Sequence, residues 1–159
     1  MEVSERALWL KTRRSGIGGS DAAAVCGQSH WRTALQVYLS KVGEYDGEST
    51  PDQYRGTLLE PAVRQMYADA TGLVVETPRG VMRHPQLAFV LASLDGIASG
   101  RRVVDFKTAR SRRGWGEPGT DEVLSDILYQ MEHYMAVTGL PVADVAVFFG
   151  SFEFEIYTV

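Results

Sequence analysis

Hydrophobic periodicity first changes near residue 72, and that change limits the fold more than any other feature of the chain. Before it, apolar residues recur at helical spacing. "SGIGGSDAAAVCG" reads as a Gly-rich loop entering a short helix, with Ser20 as N-cap and Gly27 as the stop. "RTALQVYLSKVG" reads as a second helix with Leu35, Tyr38, Leu39 and Val42 on one face. After the polar loop "EYDGESTPDQYRG" comes a third, "LLEPAVRQMYADATG". It has Pro61 in its first turn and a stripe of Leu59, Ala62, Val63, Met66 and Ala70. Beyond residue 72 the pattern turns to short β-branched or aromatic runs between Gly and Pro: "GLVVETP", "GVMRHP", "AFVLASLDGIA" and "RRVVDFKTA". One long helix follows in "TDEVLSDILYQMEHYMAVTG". "ADVAVFFGS" and "FEFEIYTV" then read as a hairpin around Gly150 and Ser151. Helices, then strands interrupted by one helix, make the fold class α/β or α+β.

A length of 159 residues predicts a single domain, 1–159, with one core. No apolar run is long enough to span a bilayer, and "MEVSERALWLKTRRSGIGG" lacks the apolar core of a signal peptide. Cys26 is the only cysteine, which excludes an internal disulfide framework and a four-cysteine iron–sulfur site. These features predict a protein of the reducing cytoplasm with no membrane partner. The net charge of −4 carries no nucleic-acid signal, but the distribution does. Arg6, Lys11, Arg13 and Arg14 cluster near the start, and Arg101, Arg102, Lys107, Arg110, Arg112 and Arg113 cluster later, with Asp105 the one acid among them. The clusters form either a phosphate-binding face or two solvated segments.

The stretch "SLDGIASGRRVVDFKT" carries the chemistry. With a three-residue turn at Ser99-Gly100-Arg101, Ala98 pairs with Arg102, Ile97 with Val103, and Asp95 with Asp105. Residues directly opposite have Cβ atoms about 5 Å apart, and facing like charges destabilise a ladder. Asp105 and Lys107 share a face, while Val104 and Phe106 point the other way, toward a core. Either Lys107 alone or a divalent cation offsets the paired acids. Mg²⁺ suits such a site, because it takes one or two carboxylates and shares phosphate oxygens. A two-residue turn would instead set Asp95 opposite Val104.

Asp95…Asp105-x-Lys107 resembles the core motif of the PD-(D/E)XK nuclease superfamily. In order, "RSGIGGSDAAAVCG", "GTLLEPAVRQMYADATG", "HPQLAFVLASLDG", "VVDFKTA" and "YQMEHYMAVTGLPVADVAVFFG" resemble the YqaJ-type viral recombinase family, which includes lambda exonuclease. The resemblance spans nearly the whole chain. It implies a restriction-endonuclease-like core, a central mixed β-sheet flanked by helices. It also implies a Mg²⁺-dependent 5′-to-3′ exonuclease on double-stranded DNA ends, with Mn²⁺ able to substitute. Such an enzyme leaves a 3′ single strand for a phage-type annealing protein. A bacterial host, a phage or prophage origin and a ring-shaped homotrimer are further implications.

By the same resemblance, Asp95, Asp105 and the backbone carbonyl of Phe106 bind the metal, and Lys107 activates the attacking water. Glu60 matches an additional carboxylate near a second metal; its plainer role is an i,i+4 pair with Arg64. Gln130 matches a site-lining helix motif, and His133 and Tyr134 follow it. Arg13 and Ser20 match a 5′-phosphate pocket, with Trp9 stacking near the DNA end or packing in the core. Asp21 beside Ser20 counts against phosphate. Arg110, Arg112 and Arg113 lie in a loop that tracks the DNA backbone or is simply exposed, and Trp115 in that loop is placed to wedge at the duplex end. The second acid is Asp105 where many relatives carry Glu, one methylene longer. Two alternatives remain at this stage: an endonuclease or nickase of the same fold, and a non-catalytic module that binds DNA ends. "GIGGSD" does not make a nucleotide site, since the G-x-G-x-x-G spacing and the P-loop lysine are both missing.

Overall fold

The structure, a computed structural model, describes residues 5–43, 50–99 and 101–159, with the backbone alone for residues 5–7 and 10. Residues 44–49 of the expected polar loop, Gly100 of the expected turn and the Arg6 side chain lie outside the described residues. In chain order the elements are α1 (Glu5–Arg14), α2 (Gly19–Val25), α3 (Ala34–Val42), α4 (Pro51–Thr71), β1 (Val75–Glu76), β2 (Met82–Arg83), β3 (Leu91–Ala92), β4 (Gly96–Ala98), β5 (Arg102–Ala109), α5 (Ser125–Thr138), β6 (Val142–Phe149) and β7 (Phe154–Thr158). They group into two compact units. One comprises Met1–Gly47, Arg79–Ser93 and Ser125–Gly139; the other comprises Glu48–Pro78, Leu94–Leu124 and Leu140–Val159.

The second unit holds a five-stranded mixed sheet in the order β1-β4-β5-β6-β7. β5 and β6 are parallel, and the other neighbours are antiparallel. β6 reads "VADVAVFF", the near-continuous apolar run of a strand buried on both faces. The β4–β5 register pairs Gly96 with Val104, Ile97 with Val103 and Ala98 with Arg102, the pairing that a three-residue turn requires. On one face Val104, Phe106, Ala98 and Ala146 pack against Val63 and Tyr67 of α4. At that face Asp144 is buried but satisfied. It accepts from the Tyr67 hydroxyl at 2.6 Å, Arg102 Nη1 at 2.7 and 2.8 Å, and the Thr158 hydroxyl at 2.9 Å. The outer edge of β7 is covered by its own chain. Gly119 N–H donates to the Ile156 carbonyl, and Thr158 N–H donates to the Thr120 carbonyl.

α4 departs from expectation. It begins at Pro51, so the last residues of the presumed loop are helical and Pro61 sits inside the helix. The start signal is "TPDQ". The Thr50 hydroxyl accepts from Gln53 N–H, the Gln53 side chain accepts from Thr50 N–H, and Pro51 takes the first helical position. The buried residues of α4 are Val63 and Tyr67; Leu59, Ala62 and Ala70 of the expected stripe are exposed.

In the first unit α2 packs on α5, and α3 contacts both α1 and α2. β2 and β3 pair antiparallel. The Gly-rich loop is fastened to β3 through Ile17, which accepts from Leu91 N–H and donates to the Phe89 carbonyl. Two expectations fail here. The N-cap of α2 is Gly18, not Ser20, and the Asp21 carboxylate accepts from Gly18 N–H at 3.0 Å. An acid at the third helical position thus does the capping, and the helix starts two residues earlier. In α3 the inward residue is Val37, while Leu35, Tyr38 and Val42 are at least half exposed. Lys41, one turn after Val37, explains the rotation: its ammonium reaches Asp21 Oδ2 at 2.6 Å and turns that face of α3 inward. Among the described residues, no helix is long and apolar enough to cross a membrane.

Candidate active site

The acids of the β4–β5 hairpin come together. Asp105 lies in the middle of β5, 1% exposed, and its Oδ2 is 2.6 Å from Lys107 Nζ. Asp95 immediately precedes β4, and its Oδ2 accepts from Phe106 N–H at 3.0 Å. That bond lays the Asp95 carboxylate against β5 next to Asp105. Burial pushes the Asp105 carboxyl up, to about 7; Lys107 opposes the shift and the negative charge of Asp95 adds to it. Glu60, half-buried on α4, is raised by its own burial and by the charge of Asp95, while Arg64 and Lys107 pull it down. Glu60 therefore feels the same cluster.

Arg64 is not tied up with Glu60. Its Nη2 donates to the backbone carbonyl of Asp95 and, at 2.7 Å, to the Thr77 hydroxyl. Its guanidinium carbon stands 5.0 Å from the centre of the Phe106 ring.

The candidate donors that the sequence singled out are all hard oxygens: Asp95, Asp105, the Phe106 carbonyl and Glu60. Among the described residues, no three His, Cys, Asp or Glu side chains gather closely enough to hold an ion on their own. An ion here would complete its shell with backbone, water and substrate oxygens. That suits Mg²⁺ or Mn²⁺ and does not suit the closed nitrogen–sulfur shell of a structural zinc.

The first unit, taken by itself, holds another grouping. Arg13 Nη2 donates to the Ser20 hydroxyl at 2.9 Å, and the Arg13 guanidinium lies 4.6 Å from the centre of the Trp9 ring. Ser20 is exposed in the first turn of α2. Asp21, which counted against phosphate, is buried and turned away toward Lys41 and Arg32, the latter at 3.0 Å. Burial pushes its carboxyl up, but Lys41, Gly18 N–H and Arg13 together hold it below the ordinary range. Gln130 is buried and donates to the Tyr134 hydroxyl at 2.8 Å. His133 Nε2 lies 2.8 Å from the Leu91 carbonyl, which requires a proton on that nitrogen. Burial holds the imidazole below its usual pKa, so His133 is a neutral donor to the backbone.

The loop after β5 is partly self-paired. Arg110 spans both oxygens of Asp52, at 2.9 and 3.0 Å. Arg112 pairs with Glu155 at 3.2 Å, and Arg113 is exposed. Trp115 packs on Phe149 and Tyr157, with ring centroids 5.7 and 5.0 Å away. Residue patterning missed the placement of Arg64, because its spacing from Glu60 suggested an ion pair. It also missed Lys41 and Arg32, whose partner lies on another helix.

The model of the YqaJ-like viral recombinase domain matches residues 8–141. The chain belongs to that family. A member from Bacillus subtilis (strain 168), the uncharacterized protein YqaJ, is 32% identical over 136 residues, covering 82% of this chain and 42% of the relative. The chain thus spans about two fifths of the length of the curated relative it matches. Among solved structures, the alkaline exonuclease LHK-Exo of Laribacter hongkongensis superposes with a TM-score of 0.75 at 21% identity, over 96% of this chain and 80% of that one. The same exonuclease in complex with dAMP gives 0.74. A phage-related exonuclease from Haemophilus somnus 129PT gives 0.64 at 16% identity, over 84% and 68%. These likenesses show the fold of this YqaJ-family chain, the α/β class with a mixed central sheet that the sequence led us to expect.

Proposed function

We propose that this chain is a metal-dependent deoxyribonuclease domain that digests double-stranded DNA from its ends, 5′ to 3′. The single observation that carries the proposal is the side-by-side placement of Asp95 and Asp105, with the Lys107 ammonium 2.6 Å from the buried acid. Membership of a viral recombinase family supports it, as do structural relatives that are named exonucleases.

When bound, Mg²⁺ or Mn²⁺ polarises the phosphodiester and lowers the pKa of a coordinated water. Asp95, Asp105 and the Phe106 carbonyl would hold the ion, and Glu60 would serve a second one. Lys107 orients the attacking water and stabilises the charge that develops on the phosphoryl oxygens. Arg13 and Ser20 grip the terminal 5′-phosphate, and the Trp9 ring under Arg13 supports the grip. Gln130 of α5 takes the role in cleavage that its family motif implies. Arg110, Arg112 and Arg113 follow the duplex backbone, which makes binding fall with salt. Residues 1–159 act as one nuclease domain in the cytoplasm of a bacterial host. The protein assembles as a ring-shaped homotrimer and hands the exposed 3′ strand to an annealing protein.

The test is digestion of linear duplex labelled at one end or the other, by wild type and by Lys107→Ala. Wild type releases the 5′ label first. Lys107→Ala is expected to lose cleavage while shifting the same duplex on a gel, in Ca²⁺, as wild type does. Undiminished cleavage by that variant would remove the lysine from the chemistry. Early release of the 3′ label would reverse the polarity.

A further inference from the structure

We propose that Arg64 is a positioning residue that fixes Asp95 for cation binding; the inference rests on the metal-site reading above. β4 begins at Gly96, so Asp95 lies just outside the ladder that holds its neighbours in register. Its geometry is set by other bonds. At its side-chain end, Oδ2 accepts from Phe106 N–H at 3.0 Å. At its backbone end, the carbonyl accepts from Arg64 Nη2, and the Thr77 hydroxyl stands 3.4 Å away. The same Nη2 donates to the Thr77 hydroxyl at 2.7 Å, which joins α4, the segment after β1 and the approach to β4 at one point. The guanidinium also rests 5.0 Å from the centre of the Phe106 ring, and Phe106 is the residue whose N–H holds the carboxylate.

Asp95 is therefore held at two ends, and both holds converge on Phe106. The clamp needs a flat group that donates to two acceptors and stacks on a ring. Arginine provides this; lysine, a compact point charge on a flexible stem, does not. Groups that orient a ligating carboxylate act on metal affinity, commonly by ten- to a hundred-fold. Glu60, one helical turn earlier on α4, faces the same acids, so the helix that brings a carboxylate to the cluster also brings the clamp.

The experiment is calorimetric titration of Mn²⁺ into wild type, Arg64→Lys, Arg64→Gln and Thr77→Val. Each protein is also unfolded thermally in chelator, as a measure of folding without the ion. Arg64→Lys and Arg64→Gln are expected to weaken Mn²⁺ binding about ten-fold or more. Cleavage by Arg64→Lys should recover toward the wild-type kcat at saturating Mn²⁺. Thr77→Val should weaken binding in the same direction by about two- to three-fold. Folded variants that bind Mn²⁺ as wild type does would overturn the proposal, as would a lower melting temperature in chelator with affinity unchanged. If Arg64→Gln does not fold, unchanged affinity in Thr77→Val overturns it equally. A wild type that binds no Mn²⁺ would instead remove the metal-site reading, and the clamp with it.

Discussion

Asp105 is the residue on which the site turns, and its environment gives a sign that can be measured. Its carboxyl is pushed up to about 7, first by burial and then by Asp95, so the folded chain holds that proton more tightly than the unfolded chain does. A raised acid lends its full contribution to folding below the ordinary carboxyl pKa. That contribution is lost as pH climbs from about 4 to about 7 and stays lost above. A divalent cation takes the proton's place only where the proton leaves easily. The rise in melting temperature on adding excess Mg²⁺ should therefore be several degrees larger near pH 8 than near pH 5.5. A shift that does not change with pH, or is larger at the acid end, would deny Asp105 a role in holding the ion. The pairing of Asp95, Asp105 and Lys107 was legible from sequence because one turn length sets it. The clamp by Arg64 was not, since a guanidinium four residues after a glutamate reads equally well as its ion-pair partner.

At the scale of elements, the contrast between α2 and α4 shows what local pattern can and cannot fix. The hairpin register followed from alternation and a short turn. Pro61 reads as a first-turn proline, but Thr50, Pro51 and Gln53 spell the capped start that α4 uses. The inward face of α3 was misread because Leu35, Tyr38 and Val42 are apolar, whereas a buried acid on α2 selects the face that carries Lys41. α2 also depends on a position with no side chain. A Cβ built on Gly19 would stand 2.3 Å from Tyr134 Cε1, so α2 approaches α5 closely only with glycine there. Alanine would ordinarily favour a helix, but here Gly19→Ala is expected to cost about 2 kcal/mol of unfolding free energy. Chemical denaturation measures it, and a gain in stability would show that α2 does not rest on Tyr134 as described.

For the molecule as a whole, fold class followed from the order of helical and strand periods, and the mixed sheet was an implication of the family resemblance. What the sequence left hidden was the wiring of its buried charges. Asp144 is satisfied by Tyr67, Arg102 and Thr158, and Tyr67 lies 77 positions away along the chain. No local rule relates residues at such separations; only the completed sheet and the helix packed on it do. The basic loop after β5 was legible in the distribution of charge, but its partners were not: Asp52 and Glu155 already hold two of its arginines.

The most direct test of the central claim, that Asp95 and Asp105 with Lys107 form a cation-dependent cutting site, is digestion of linear against covalently closed circular duplex. Both substrates are incubated with Mg²⁺, with chelator, and with Asp95→Asn or Asp105→Asn in place of wild type. Linear DNA is expected to shorten from its ends only with wild type and Mg²⁺, while circles stay intact. Degradation that persists in chelator, or that survives loss of either acid, would contradict it.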